Sequence, residues 1–142
     1  MSFDWRALLE VAELLERQIS TSGISAVQKE AYVRSAFNRL YYAAFNLANE
    51  TIISLYNDDF LGFSREWKDD LSKPKGSHVV LINYCLARHP ATSPIYDIGN
   101  ILQQMKPVRE DCDYHLPLRN SQILNTLSSY KEQAMFIVGC VD

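Results

Sequence analysis

The sequence predicts an all-α protein, folded over residues 1–142 as a single antiparallel bundle of four or five helices. Apolar residues recur at spacings of three and four along several segments, which is typical of helices that each bury one face. No segment shows the alternation that is typical of a strand, and Gly, Pro and Ser clusters separate the helical segments. A chain of 142 residues is long enough for one domain with one core.

The first predicted helix begins at Ser2 or Asp4 and ends at Gln18. The segment 20–23 terminates it, and Gly23 is expected to be its left-handed cap. Its predicted buried face consists of Trp5, Leu8, Ala12, Leu15 and Ile19.

The second predicted helix is long and runs from Ala26 to Tyr56. A strict 4-3-4-3-4 spacing of apolar residues predicts one seam against a neighbouring helix, crossing at about 20°. Ala36 and Ala43 lie beside this seam and allow close approach. The seam consists of Val33, Phe37, Leu40, Ala44, Leu47 and Thr51.

Residues 57–76 are predicted to form a loop with at most one helical turn, near Arg65 to Leu71, because Asn, Asp and Gly interrupt the apolar pattern. Ser77 is then the expected N-cap of a third helix that continues to Arg88. A fourth helix begins at Ser93-Pro94, and Pro107 is expected to kink or split it, because its ring clashes with the Gln103 carbonyl.

A last helix follows a corner at residues 113–117 and repeats the 4-3-4-3-4 spacing. Its predicted buried face consists of Ile123, Leu127, Tyr130, Ala134, Ile137 and Val141.

The composition, 47% hydrophobic and 22% charged, is that of a folded globular protein. No apolar run approaches the ~20 residues that span a bilayer, and the N-terminus lacks the basic and apolar regions of a secretory signal. A cytoplasmic location without a membrane partner is therefore expected. The net charge of −3 argues against broad, non-specific binding of nucleic acid, but it permits a local arginine cluster that binds one phosphate.

The sequence contains no pattern typical of a metal or cofactor site. Cys85, Cys112 and Cys140 show no C-x-x-C spacing and are expected to be buried free thiols. The three histidines are widely separated, and no phosphate loop, nucleophile elbow or dinucleotide fingerprint is present.

A polar stripe runs along the second helix, where Arg34, Asn38, Tyr42 and Asn46 fall four apart and Arg39 lies beside them. The stripe has two interpretations. The arginines could pair with carboxylates while the tyrosines cap the core, or the same side chains could form a pocket for a phosphate.

Arg109 and His115 form the second candidate pair. Six positions along an ideal helix leave them ~120° apart, so they converge only if the helix ends near Asp113 and His115 folds back before Pro117. A neutral histidine can take the proton of a ribose 2′-hydroxyl or protonate the leaving 5′-oxygen. An arginine can hold the phosphate between them, and this chemistry needs no metal.

Four segments together resemble the HEPN domain family (higher eukaryotes and prokaryotes nucleotide-binding). They are Phe3-Asp4-Trp5 in the first helix, Arg34 to Phe45 with its Arg39-Leu-Tyr41-Tyr42-Ala core, Lys75-Gly76-Ser77-His78, and Arg109 to Tyr114 with its Cys112-Asp113-Tyr114 end. The resemblance spans about residues 3 to 116, and its specificity comes from the order and spacing of the four segments.

The resemblance implies a four- or five-helix bundle that commonly dimerises. Active members carry an Arg, then four to six residues, then a His, with two copies facing across the dimer to cut RNA. Arg109 and His115 fit that spacing. Two positions depart from the pattern: Glu110 stands where a polar residue such as Asn is usual, and Cys112 where Ala is usual.

The expected function is a metal-independent endoribonuclease of the toxin or defence type, acting as a homodimer. Arg109 would hold the scissile phosphate and His115 would be the acid and base. The residues expected to form the substrate pocket are Arg39, Asn38, Tyr42, Asp113, Tyr114 and His78. Within that set, Asp113 would orient Arg39 or Arg109 through a bidentate pair.

An alternative from another class is a non-catalytic HEPN module that binds a nucleotide or a partner protein, such as a small nucleotidyltransferase. In that case Arg39 and Asp113 would form a structural ion pair, and Arg109 would bind a phosphate without cleaving. His78 has two interpretations as well. It lies at a helix N-terminus that favours an anion, or, as packing favours, it contacts Tyr42 or the last helix and holds the bundle. A purely structural dimer is the third interpretation.

Overall fold

The computed structural model describes the backbone of residues 4–21, 23–114 and 120–141, and the side chains of residues 4–21, 23–110 and 126–141. Within these ranges the chain forms five α-helices and no strand, so the predicted all-α fold is confirmed. The helices are α1 (Ala7–Ile19), α2 (Ala26–Asp69), α3 (Ser77–Arg88), α4 (Pro94–Tyr114) and α5 (Asn120–Val141). α2 is the central helix, because it contacts each of the other four.

α1 begins later than predicted and ends one residue after the predicted end. Gly23 has the predicted positive φ, +93°, but it does not cap α1, because the helix ends at Ile19 with Ser20 at the C-cap position. The indole Nε1 of Trp5 donates a hydrogen bond to Glu50 Oε1 at 2.8 Å and ties the start of the chain to α2.

The apolar seams predicted from spacing form the core. In α2 every predicted seam residue except the half-buried Thr51 is buried, and Ala36 and Ala43 are buried beside them. In α5 Leu127, Tyr130, Ala134 and Ile137 are buried as predicted, whereas Val141 is half-buried. The period of 3.6 residues therefore predicts which faces the helices bury.

The interruption predicted at Tyr56 is confirmed as a kink, but the loop predicted to follow it is wrong. Tyr56 has non-helical angles (φ −136°, ψ 32°), but the helix resumes and continues to Asp69. The predicted loop over residues 57–76 is thus helical for most of its length. The reason is packing: Phe60 and Phe63 each meet Tyr84 of α3 edge-on, with ring centroids 5.1 and 5.5 Å apart.

Tyr84 also anchors this extension by a polar contact. Its hydroxyl donates a hydrogen bond to Asp59 Oδ2 at 2.8 Å, and Arg88 lies 3.5 Å from the same carboxylate. The extension therefore runs along α3 and not into solvent.

α3 begins as predicted, but its cap differs by one residue. Gly76 occupies the N-cap position without a side-chain hydrogen bond, and Ser77 is the first helical residue. This register places His78 in the first turn of α3, where the side chain is half-buried against α2.

α4 is not split at Pro107, since the helix continues through it to Tyr114. Proline removes one backbone donor there. Buried contacts on both sides of it, from Leu102 and Met105 and from the partly buried Val108, hold the two parts in one helix.

The cysteines that the structure describes are free thiols, as expected. Cys85 is buried and Cys140 is half-buried. Burial raises the pKa of the Cys85 thiol to about 12, which keeps it in the unreactive thiol form. The side chain of Cys112 lies outside the described residues.

Candidate functional site

Three of the predicted site residues, from three different helices, meet at one point. Tyr42 belongs to α2, His78 to the first turn of α3 and Arg109 to the last part of α4. One guanidinium nitrogen of Arg109 donates a hydrogen bond to the Tyr42 hydroxyl at 3.0 Å. The ring of His78 meets the ring of Tyr42 edge-on, with centroids 6.0 Å apart. We call Tyr41, Tyr42, His78 and Arg109 the aromatic–arginine cluster.

Tyr41 forms the floor of this cluster. Because it neighbours Tyr42 on α2, its side chain points about 100° away and into the core. The Tyr41 ring is fully buried, and its hydroxyl lies 2.7 Å from Nδ1 of His78. Burial raises the pKa of the Tyr41 phenol well above its usual range, so the hydroxyl keeps its proton.

His78 is held on two sides. Its Nδ1 shares the hydrogen bond with Tyr41, and its ring stacks on Phe45 with centroids 3.9 Å apart. Burial, followed by the charges of Arg109 and Lys106, lowers the pKa of His78 below its usual value of 6.5. The imidazole is therefore neutral at pH 7 and contributes hydrogen-bonding capacity, not charge.

Arg109 is fixed by the two tyrosines. Its guanidinium carbon lies 5.3 Å from the centroid of the Tyr41 ring and 5.4 Å from that of Tyr42, within cation–π range. The side chain is half-buried, so the guanidinium is held by the protein while part of its surface reaches solvent. A guanidinium on an aromatic support is well suited to bind an anion such as a phosphate.

Lys106 and Glu110 flank Arg109 on α4. Their side chains form an ion pair of 2.5 Å across one helical turn. The hydrogen bond from Lys106 lowers the pKa of Glu110, which is therefore ionised at neutral pH. The charges of Lys106 and Glu110 offset each other beside the Arg109 guanidinium.

Asn38 and Arg39 do not belong to this cluster in the described contacts. With Arg34 and Ser35 they line a separate shallow depression of about 190 Å³, one turn nearer the start of α2. Arg39 is exposed and Asn38 is half-buried. An exposed Arg39 does not fit a fully buried ion pair.

The remaining predicted residues lie outside the described part of the site. The backbone of Asp113 and Tyr114 belongs to the last turn of α4, but their side chains are not described, and His115 lies between the described segments. Their expected roles stay predictions.

The substrate pocket predicted from the sequence includes neither Tyr41 nor Lys106. Tyr41 lies outside the predicted seam of α2, and no spacing in the sequence indicates its hydrogen bond with His78, 37 residues away. The contact of Lys106 with Glu110 could be predicted, because Lys106 stands four residues before Glu110 and three before Arg109 on the same helix.

Within the described residues, no three His, Cys, Asp or Glu side chains gather in a way that could hold a metal ion. No helix in that part of the chain is long and apolar enough to cross a membrane. Comparison of the chain with protein-family models, with curated proteins and with solved structures finds no significant match.

Proposed function

We propose that this protein is a metal-independent endoribonuclease in which Arg109 binds the scissile phosphate and His115 is the acid and base. The observation that carries the proposal is the convergence of Tyr42, His78 and Arg109. These residues come from three separate segments of the resemblance to HEPN proteins, and their meeting in one cluster is what a shared site requires.

The fixed position of Arg109 supports phosphate binding. Hydrogen bonding to Tyr42 and contact with two aromatic rings restrict the side chain before any ligand arrives. A preorganised guanidinium loses less entropy on binding than a mobile surface arginine, and it donates to a phosphate in a fork geometry.

The Lys106–Glu110 ion pair makes an acidic residue at position 110 compatible with phosphate binding by Arg109. Glu110 by itself would repel a phosphate bound to Arg109. Because the ammonium of Lys106 lies 2.5 Å from the carboxylate, the acidic charge is compensated where the phosphate would bind.

The proposed reaction is a transesterification followed by release of the downstream strand. His115 takes the proton of the ribose 2′-hydroxyl, and the 2′-oxygen attacks phosphorus in line with the leaving 5′-oxygen. Arg109 stabilises the charge that develops on the phosphate oxygens. The P–O5′ bond then breaks, and the protonated His115 gives its proton to the 5′-oxygen. The products carry a 2′,3′-cyclic phosphate and a 5′-hydroxyl.

In this proposal Tyr42 and His78 shape the substrate pocket. Asn38 and Arg39, one turn away on α2, contact a neighbouring part of the RNA, where the exposed guanidinium of Arg39 is available to the backbone. Asp113 and Tyr114 complete the pocket on α4, and two copies of the chain face each other as a homodimer.

A non-catalytic module that binds a nucleotide, or that docks on a nucleotidyltransferase-type partner, is the second candidate. The hydrogen bond between Arg109 and Tyr42 favours it, because an arginine held in this way binds a phosphate whether or not an acid–base group stands nearby.

Incubation of the purified protein with RNA in EDTA tests the nuclease proposal. The wild-type protein and an Arg65→Gln control should leave 2′,3′-cyclic phosphate ends, since Arg65 is an exposed arginine away from the cluster. His115→Ala and Arg109→Gln should lower the rate at least a hundredfold. Equal cleavage by wild type and His115→Ala would reject the assigned chemistry, and no cleavage by wild type would favour the binding module.

Mixing the two inactive variants tests the dimer. If a site combines Arg109 of one copy with His115 of the other, a mixture of Arg109→Gln and His115→Ala regains part of the activity. If each copy carries a whole site, the mixture stays inactive.

A further inference from the structure

The hydrogen bond between Tyr41 and His78 has a defined direction. The Tyr41 side chain is fully buried, and among the described residues its hydroxyl has one partner, Nδ1 of His78 at 2.7 Å. If the hydroxyl accepted a proton from Nδ1–H, its own O–H would be buried without an acceptor, which is unfavourable. Burial raises the pKa of the Tyr41 phenol well above its usual range, so the proton is present. Tyr41 therefore donates, and Nδ1 of His78 accepts.

This direction fixes the tautomer of His78. A neutral imidazole carries one ring proton, and an Nδ1 atom that accepts a hydrogen bond does not hold it. Because burial and the neighbouring cations lower the pKa of His78, the ring is neutral at pH 7, and its proton resides on Nε2. Nε2 is thus a hydrogen-bond donor without a free lone pair, and it cannot act as a base. In the proposed reaction this leaves the proton transfer to His115.

The Nε2–H group of His78 is accessible from outside. Phe45 stacks on the imidazole with ring centroids 3.9 Å apart, and the Nδ1 edge faces the buried hydroxyl of Tyr41. Within the described part of the chain Nε2 has no hydrogen-bond partner, and it is not one of the buried nitrogens that lack one. Since the side chain is half-buried, Nε2 reaches solvent and is available to a ligand.

His78 and Arg109 border the same two tyrosine rings. The guanidinium carbon of Arg109 lies 5.3 Å from the ring centroid of Tyr41 and 5.4 Å from that of Tyr42. The imidazole centroid lies 5.4 and 6.0 Å from the same two centroids. The charge of Arg109 is one of the causes that lower the pKa of His78, as expected for close neighbours. An anion bound to Arg109 is therefore a neighbour of His78.

We propose that Nε2–H of His78 is a second hydrogen-bond donor to the RNA phosphate that Arg109 binds, and that Tyr41 is the positioning residue that keeps this proton on Nε2. The inference rests on the proposed function, because it assumes that Arg109 binds a phosphate. A neutral imidazole adds a hydrogen bond to the phosphate but neutralises no charge. It therefore contributes to affinity and not to the dependence of affinity on salt.

Two substitutions of His78 separate the two ring nitrogens. The amide of Gln lies about where Nε2 lies in histidine, so His78→Gln keeps a donor for the phosphate but loses the acceptor for Tyr41. The shorter amide of Asn lies about where Nδ1 lies, so His78→Asn keeps the acceptor for Tyr41 but loses the outer donor. A merely structural role of His78 would favour the Asn variant, and a role in binding favours the Gln variant.

Binding of an uncleavable 2′-O-methyl RNA, measured by fluorescence anisotropy at several salt concentrations, tests the donor. His78→Gln should bind nearly as tightly as wild type. His78→Asn should bind about tenfold more weakly, as expected for the loss of one hydrogen bond to a charged group, with an unchanged salt slope. Arg109→Gln should lose both affinity and slope.

Nitrogen-15 NMR of the histidine rings tests the positioning role of Tyr41. The signals of His78 are those that disappear in His78→Asn, and in wild type they should show the proton on Nε2. In Tyr41→Phe the Nδ1-protonated form should appear beside it, because nothing then donates to Nδ1.

Each result decides one part of the proposal. A wild-type proton on Nδ1 overturns the tautomer, and an unchanged spectrum in Tyr41→Phe overturns the role of Tyr41. If Arg109→Gln weakens binding but His78→Asn does not, or if His78→Gln is as weak as His78→Asn, the second donor is overturned and the proposed phosphate site stands. Binding that ignores Arg109→Gln overturns the phosphate site, and the second donor with it.

Discussion

Replacement of Gly99 by alanine is expected to destabilise the protein, although alanine is the better helix former. Gly99 lies in α4 where that helix crosses α3. A Cβ atom added there would stand 2.6 Å from Cβ of Cys85, 3.2 Å from the carbonyl oxygen of Ile82 and 3.3 Å from Leu86. Carbon atoms in contact prefer separations of ~3.5–4.0 Å, so the shortfall against Cys85 is about 1 Å.

The magnitude follows from two opposing terms. Exchange of glycine for alanine inside a helix stabilises by ~1 kcal/mol. Overpacking a tight core costs about 1–3 kcal/mol, and the upper end applies here because Cβ of Cys85 and the backbone of Ile82 cannot rotate away. The net destabilisation is ~2 kcal/mol, which lowers Tm by roughly 4–8 °C.

Gly139→Ala is the matched control. Gly139 is exposed in α5, and an added Cβ meets no atom within 4 Å, so the same exchange should stabilise by up to ~1 kcal/mol. Thermal melts and urea titrations of the two variants should therefore change in opposite directions. A Gly99→Ala protein as stable as wild type or more so would show that α3 and α4 are not packed this closely.

Two further predictions concern the aromatic–arginine cluster. Tyr41→Phe should lower the free energy of unfolding by about 1–3 kcal/mol in urea titration, because it leaves Nδ1 of His78 without its 2.7 Å partner in a half-buried site. Tyr96→Phe, at a half-buried tyrosine outside the cluster, should change the free energy of unfolding little. Equal effects of the two substitutions would contradict the assigned hydrogen bond. Stability should also fall as the pH drops through 6.5 and below, because the lowered pKa of His78 makes the unfolded chain bind a proton first. His78→Asn should make stability depend less on pH in thermal melts between pH 5 and 7.5, and the remaining dependence is the part that His89 contributes through its own lowered pKa. An unchanged slope of stability against pH would show that His78 is solvated.

Local periodicity accounts for the parts of the fold that were predictable. Seam residues such as Phe37, Leu40 and Ala44 are buried because a helix repeats every 3.6 residues, and this repeat is visible without any knowledge of neighbours. The extension of α2 was not predictable in this way. Asp and Gly around residues 57–62 oppose a helix locally, and the contacts with Tyr84 that override them join residues more than twenty positions apart.

The sequence indicates several residues of the candidate site, but it does not indicate which of them contact each other. Tyr42, His78 and Arg109 stand out because polar and charged groups occupy helix positions that packing alone does not require. That Arg109 reaches the hydroxyl of Tyr42, 67 positions away, depends on how α4 crosses α2, and no spacing in the sequence encodes it. The ion pair that compensates Glu110 is the opposite case, since Lys106 stands one helical turn before it.

The central claim is that the aromatic–arginine cluster binds a phosphate of RNA through Arg109. The measurement that tests it most directly is the salt dependence of binding of an uncleavable 2′-O-methyl RNA to wild type, Arg109→Gln and Arg65→Gln. Loss of one phosphate contact should weaken binding and reduce the slope of log K against log salt by about 0.7 in Arg109→Gln only. Equal affinities and slopes for wild type and Arg109→Gln would contradict the account.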